Sequence, residues 1–402
     1  MTVARRTEMT ELPAVARLRP AIAPATTIDG LILVVIGIAL LAVSSNEYQI
    51  YYQIHSSMGE RLVDVSHGVL SGHPPWKAFQ ARLLGPLTLS GFEAVATWLQ
   101  VHFPGVYSDL ERVFAERHTR DLVALDIFTA VMIGAKNVVL FGLLLRYTGK
   151  LAKAAAGTLL GSVLFIVLSD YWLYTWDMFE LIFFSFLAFT MFSGKRFGAS
   201  FLLVYALSLF NRESAAFFGV WLLCYASACR LIDGHVPWRE ALAGAVLVVV
   251  AVLYVTTLRN YLLVESTFGH ETSNTAAASL IPAEENGSLH QALGNHLLIA
   301  ENALRFLKNL VSSHFYNDVY VVAFAVQAGL ILRFGLRRRH ARFVAIGAFN
   351  LILLASILNF ALLNETRLFL ICIPFAVFSA VTFSREILAF LGRFSRRPIP
   401  AE

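Results

Sequence analysis

The chain has 402 residues, of which 57% are hydrophobic and 15% charged, and its mean hydropathy is +0.65. A water-soluble domain carries about 25% charged residues, so a soluble enzyme, a disordered chain and a fibrous protein are excluded, and the surplus apolar residues must face lipid. The formal net charge of +5 says less than the places where the charges fall.

Residues 1–27 form a basic leader containing Arg5, Arg6, Arg17 and Arg19. The apolar run at 28–45 that follows has no small-residue cleavage site after it, so it predicts a first transmembrane helix with a cytoplasmic N-terminus. Further runs long enough, or nearly so, to cross the ~30 Å hydrocarbon core lie at 122–145, 154–169, 178–193, 198–210, 214–229, 241–257, 318–332, 343–362 and 368–384. The expected fold class is therefore all-α, a polytopic bundle of about ten transmembrane helices. The stretch 83–101, interrupted by Pro86, Gly91 and Glu93, is either an eleventh span or a helix lying in the interface.

Charge placement favours the interfacial reading. Basic residues cluster at Arg146/Lys150/Lys153, Lys195/Arg196, Arg230/Arg239, Arg333/Arg337/Arg338/Arg339/Arg342 and Arg385/Arg393/Arg396/Arg397. Placing all of these inside with the leader requires that 46–121 begin and end outside. Two long outer segments result, 46–121 and 258–317, both with an amphipathic helical pattern suited to the membrane surface. In the second, Leu297, Ala300, Leu304 and Leu307 interleave with Glu301, Arg305 and Lys308. The chain divides into the leader 1–27, a transmembrane module 28–263 that includes the segment 46–121, a second outer segment 264–317, C-terminal helices 318–384, and a basic cytoplasmic tail 385–402.

With this topology the costly polar residues gather at outer helix ends: Asn46-Glu47, Asp170, Asp177, Glu180, Asn211-Arg212-Glu213 and Asn364-Glu365-Thr366-Arg367. The hairpin 197–229 is too short for two full spans of about 20 residues each, so its turn should lie below the membrane plane. Arg212 and Glu213 at that depth must be enclosed by protein or water, as a structural ion pair or as part of a site. Lys136 falls in the middle of 122–145; it pairs with a carboxylate on a neighbouring helix or meets an anionic head group drawn inward. Asp177 and Glu180 share a helical face at i, i+3 and either act together or cap the helix start. The aromatic run Tyr171-Trp172-Leu173-Tyr174-Thr175-Trp176 fits an interfacial belt.

Other signals are silent. His55, His67, His73, His102 and His118 show no tight metal-ligand spacing and read as interfacial polar residues, so no metal site is expected. Cys224, Cys229 and Cys372 lie in apolar runs and suggest neither a disulfide framework nor a metal knuckle. The sequons at Asn286 and Asn364 are chance-level matches. There is no phosphate-cradling glycine loop, nucleophile elbow or nucleic-acid motif.

A cytoplasmic N-terminus, one helix, an acidic residue at its outer end and a long outer segment with two surface helices resemble the GT-C superfamily of polytopic, lipid-dependent glycosyltransferases. The resemblance covers the architecture of roughly the first 260 residues. It extends to the late stretch Asn364-Glu365-Thr366-Arg367-Leu-Phe-Leu-Ile-Cys-Ile-Pro374, which looks like the acidic-x-Arg, apolar, Pro pattern of that superfamily. Gln80-Ala81-Arg82-Leu-Leu-Gly-Pro86 looks like its arginine-containing approach to the second surface helix. Where members often carry an Asp-Glu pair this chain has Asn46-Glu47, which leaves one carboxylate and no support for a divalent metal.

The resemblance implies transfer of a sugar from a polyprenyl-phosphate-linked donor to a glycan or lipid acceptor on the outer face of the cytoplasmic membrane, with no nucleic-acid partner. It implies Glu47 as the base that deprotonates the acceptor hydroxyl, with Asp177 and Glu213 as replacements or as residues orienting the arginines. Arg212 and Arg367, then Arg82 and Lys136, are implied as the cations stabilising the departing lipid phosphate, with Glu365 beside Arg367. The competing readings are a polymerase or ligase of lipid-linked glycans, and a transporter or flippase without covalent chemistry. The latter typically shows internal repeats and paired broken helices, which apart from the short 198–229 hairpin are not evident.

Overall fold

The computed structural model describes residues 27–55, 58–72, 82–114, 119–169, 173–194, 197–261, 299–312, 315–360 and 366–384, and among these every regular element is helical. The first half holds α1 (Thr27–His55), α2 (Gly59–Leu70), α3 (Leu84–His102), α4 (Pro104–Phe114), α5 (Arg120–Thr148), α6 (Leu151–Leu168) and α7 (Thr175–Ser193). After α8 (Ala199–Leu209), a 3-10 turn at Glu213–Ala215 leads into α9 (Ala216–Asp233), followed by α10 (Trp238–Tyr261), α11 (Ile299–Asn309), α12 (Phe315–Arg338) and α13 (Ala341–Phe360). A second 3-10 segment, Thr366–Cys372, leads into α14 (Ile373–Thr382).

Eight of these helices, α1, α5, α6, α7, α9, α10, α12 and α13, are long and apolar enough to cross a membrane. The chain is an all-α, multi-pass membrane protein. The exposed Val34, Val35, Ile38 and Leu41 on α1, Val246, Val249 and Leu253 on α10, and Val322, Val326 and Leu330 on α12 form the surfaces that lipid covers. The runs expected at 198–210 and 368–384 are shorter helices. α8 has 11 residues, about 16 Å or half the hydrocarbon core, and after it Asn211 is buried while Phe210 is exposed. The stretch expected in the interface forms α3, a helix of 19 residues that is not among the eight.

α1 differs from expectation. The run expected to end at 45 continues as helix to His55, because Tyr48, Ile50, Tyr51 and Tyr52 extend its apolar content past Glu47. Glu47 is thus carried into the helix body instead of standing at its outer end.

α7 is the most enclosed of the eight, buried along nearly its whole length. It packs on α3, α5, α8, α13 and α14. Trp176, Phe184, Phe218, Phe349, Phe375 and Phe378 are all fully buried around it. α9 and α10 cross at a glycine contact: a Cβ on Gly219 would stand 2.6 Å from the Gly244 carbonyl oxygen, so only small residues permit this approach. α5, α7 and α9 are each followed by a glycine with positive φ, Gly149, Gly194 and Gly234, a left-handed ending that glycine adopts without steric cost.

Basic residues gather at one end of the bundle, where Lys153 Nζ donates to Ser384 Oγ at 2.9 Å and Arg342 Nη1 to the Phe192 carbonyl at 3.5 Å. The amphipathic α11 buries Asn302 and Asn309 against the bundle and turns Leu304 and Leu307 outward. Asn302 Nδ2 donates to the Leu358 carbonyl at 2.6 Å and Asn309 Nδ2 to Asp318 Oδ1 at 3.2 Å. Residues 1–26, 262–298 and 385–402, holding the leader, most of the second outer segment and the tail, lie outside the described residues.

Candidate functional site

At the end of the bundle opposite the basic loops, several helices begin at one place. The Leu84 N–H donates to the Phe210 carbonyl at 2.8 Å, tying the start of α3 to the end of α8. Gly85 lies so close to the start of α7 that a Cβ would stand 2.6 Å from the Thr175 carbonyl carbon and the Trp176 nitrogen. Asn211 Nδ2 donates to the Trp176 carbonyl at 3.0 Å, bringing the approach to α9 to the same point. The N-terminal ends of α3, α7 and α9 therefore meet, and each contributes a partial positive charge there.

Onto this point project three arginines and three carboxylates. Arg82, two residues before α3, donates through Nη2 to Glu213 Oε1 at 2.8 Å. Arg212 donates through Nη1 to Glu180 Oε2 at 2.8 Å, lies 3.6 Å from Asp177 Oδ1, and places Nε 3.7 Å from Glu213 Oε1. Arg367, at the start of the late 3-10 segment, reaches Asp177 Oδ2 at 3.9 Å. Asp177 Oδ2 also accepts the Tyr174 N–H at 2.9 Å. Of the two roles open to Asp177 in the sequence, it caps α7 and it shares Arg212 with Glu180.

The cluster is enclosed. The side chains of Arg82, Arg367 and Arg212 are 7%, 11% and 16% exposed, whereas that of Glu213 is 38% exposed, the most of the cluster. Arg82 lies over the Trp176 ring and Arg367 over the Tyr174 ring, with guanidinium carbons 5.2 and 4.4 Å from the centroids. Tyr174 and Trp176 stack on each other at 4.6 Å. They are buried beneath the arginines and not presented to lipid, so the belt explanation fails for these two; Tyr171 and Trp172 lie outside the described residues. Burial disfavours the Arg212 cation, but Glu180, Glu213 and Asp177 outweigh it and hold its pKa above the ordinary value. At Arg82 burial outweighs Glu213 and lowers the pKa, yet a guanidinium stays charged at neutral pH.

Glu47 and Lys136 form a second and separate cluster. Lys136 Nζ donates to Glu47 Oε1 at 2.8 Å and sits 4.0 Å above the Phe165 ring. Asn137 Nδ2 donates to Glu47 Oε2 and also to Ser44 Oγ at 3.0 Å, and Asn137 Oδ1 accepts from Ser162 Oγ at 3.4 Å. Of the two partners open to Lys136, the structure shows the carboxylate of a neighbouring helix. Glu47 is 1% exposed with each of its oxygens engaged, a geometry that locks α1 to α5. One turn further along α1, Tyr51 Oη meets the Leu173 carbonyl at 3.5 Å, so the two clusters are neighbours along one helix face.

The structure thus brings together Arg82, Asp177, Arg212, Glu213 and Arg367, and sets Glu47 and Lys136 apart. Glu365 lies outside the described residues. The sequence analysis did not put Glu180 among the site residues, read Tyr174 and Trp176 as an interfacial belt, and gave Gly85 no role. The i, i+3 spacing of Glu180 with Asp177 was the available signal for the first, while nothing local marked Gly85. Among the described residues no group of three or more His, Cys, Asp or Glu is placed to hold a metal ion. Comparison with known protein families, characterised proteins and solved structures finds no match.

Proposed function

We propose that this protein is an integral membrane glycosyltransferase that takes a sugar from a polyprenyl-phosphate-linked donor and passes it to a glycan or lipid acceptor, with its site on the outer face of the cytoplasmic membrane. The observation that supports it is the gathering of Arg82, Arg212 and Arg367, from three distant parts of the chain, where three helix N-termini point. Cationic forks and helix dipoles aimed at one point inside an apolar bundle suit a phosphate whose charge grows as the glycosidic bond breaks.

In this reading the acceptor hydroxyl loses its proton to a carboxylate as its oxygen bonds the sugar carbon, and the lipid phosphate departs with the electron pair of the broken bond. Glu213 takes the proton in this reading, being the most exposed of the three carboxylates. Asp177 and Glu180 hold the arginine forks in position, and Glu47 and Lys136 support the scaffold. The test is native mass spectrometry of the detergent-purified protein. A polyprenyl phosphate is expected to co-purify with the wild type and to be lost from Arg212→Gln. A wild-type protein that carries no such lipid, even after its addition as a mixed micelle, would overturn the proposal.

A further inference from the structure

Two guanidinium groups converge on a single oxygen of Glu213. Oε1 accepts from Arg82 Nη2 at 2.8 Å and lies 3.7 Å from Arg212 Nε. A carboxylate oxygen between two arginine forks occupies the position a phosphate oxygen takes when two arginines clamp it. Glu213 is also the first residue of the 3-10 turn that opens α9, it follows an extended Arg212, and it is the most exposed member of the cluster.

The charge balance adds a constraint. Among the described residues the three arginines face three carboxylates, Asp177, Glu180 and Glu213, and with all six ionised their charges cancel. An arriving phosphate would leave uncompensated negative charge in a protein interior unless one carboxylate leaves, and buried unpaired charge is strongly disfavoured. Asp177 is held by the Tyr174 N–H and two arginines, and Glu180 is 4% exposed inside α7. Glu213, with a side chain 38% exposed although its Oε2 is buried, is the member nearest solvent and the one a rotamer change would carry outward.

We infer that Glu213 is a resident occupant of the phosphate seat formed by Arg82 and Arg212, displaced when a phosphate group binds. This inference rests on the arginine-clamp reading of the site but not on sugar transfer. The exchange keeps the cluster near neutrality, closes the clamp when no phosphate is present, and frees the Glu213 carboxylate only once the seat is filled.

The purified full-length protein in detergent is titrated with two probes, inorganic phosphate and farnesyl phosphate, with affinity read from ligand-dependent thermal shift. Glu213→Gln removes the competing charge with little change of shape and is expected to tighten farnesyl phosphate binding by about tenfold, while Arg82→Gln weakens it by a similar factor. Tightening for both probes assigns the seat to phosphate from either source, and tightening for farnesyl phosphate alone assigns it to a lipid headgroup. Equal or weaker binding of both probes by a folded Glu213→Gln protein overturns the inference.

A second measurement needs no variant. Carbodiimide labelling of Glu213 in the wild type, read by peptide mass spectrometry, is expected to rise severalfold when farnesyl phosphate saturates the protein. Unchanged or reduced labelling at saturation overturns the inference. Absence of sugar transfer by the wild-type protein, with these binding results intact, would remove the proposed function and leave the seat exchange standing.

Discussion

Removing Lys136 alone is expected to damage the protein more than removing Lys136 and Glu47 together. The pair is 2.8 Å apart, with side chains 5% and 1% exposed, and Asn137 supplies a further donor to the carboxylate. At that separation the attraction is ~6 kcal/mol for an effective dielectric constant of about 20. Desolvating the two ions costs several kcal/mol each, so the intact pair contributes little net stability. Breaking it leaves one buried charge uncompensated, at a cost of about 3–5 kcal/mol. Lys136→Met and Glu47→Gln should each lose about that much, and the double variant should lose less than either single one. The assay is reversible unfolding in mixed micelles of increasing SDS fraction, followed by tryptophan fluorescence, for the wild type and the three variants. Additive losses in the double variant would refute the reasoning, because they would mean the charges are not coupled. Retained sugar transfer by the double variant is the expected companion result, and a folded but inactive double variant would return Glu47 to the chemistry.

Gly85→Ala places a methyl group 2.6 Å from the α7 backbone, which cannot yield as a side chain would; a loss of about 1–3 kcal/mol on the same unfolding assay is expected, with weaker farnesyl phosphate binding. Arg212→Lys keeps the charge but cannot span Glu180 and Glu213 with one planar fork, so about 1.5–3 kcal/mol of stability should be lost, and wild-type stability would contradict the geometry. Gly219→Leu should separate α9 from α10 and abolish the folded gel-filtration peak, whereas Gly244→Leu with normal elution would show that the crossing is looser than described. In a background without the three native cysteines, an impermeant maleimide should label Ser90→Cys on intact cells and Ala152→Cys only after permeabilisation. Labelling of Ser90→Cys solely after permeabilisation would make α3 a membrane crossing.

How far the sequence could be read depended on whether a feature was local. The α-helical class, the sequence limits of α5, α6, α7 and α9, and the segregation of basic residues to the connecting loops all follow from apolar content averaged over about 20 residues and from the cost of charge in lipid. That Arg212 is enclosed by protein was also legible, because the hairpin around α8 is too short for two full spans. α1 was misjudged in length because a window average drops at Asn46-Glu47, although the helix continues through four more apolar residues.

Which charges meet was decided by the tertiary structure. Arg82 and Glu213 are 131 residues apart and Lys136 and Glu47 are 89 apart, and no local pattern states that the first pair includes a partly exposed carboxylate and the second is sealed in the bundle. Tyr174 and Trp176 show the same limit: an interfacial belt and a buried platform under two arginines have one composition and differ only in what packs against them. Hydropathy and charge fix where a helix lies in the membrane, since both are summed along the chain. The rotation of each helix about its axis, and the level at which its end meets its neighbours, depend on contacts such as Gly85 against Thr175, and those contacts bring charges scattered along the chain into one cluster.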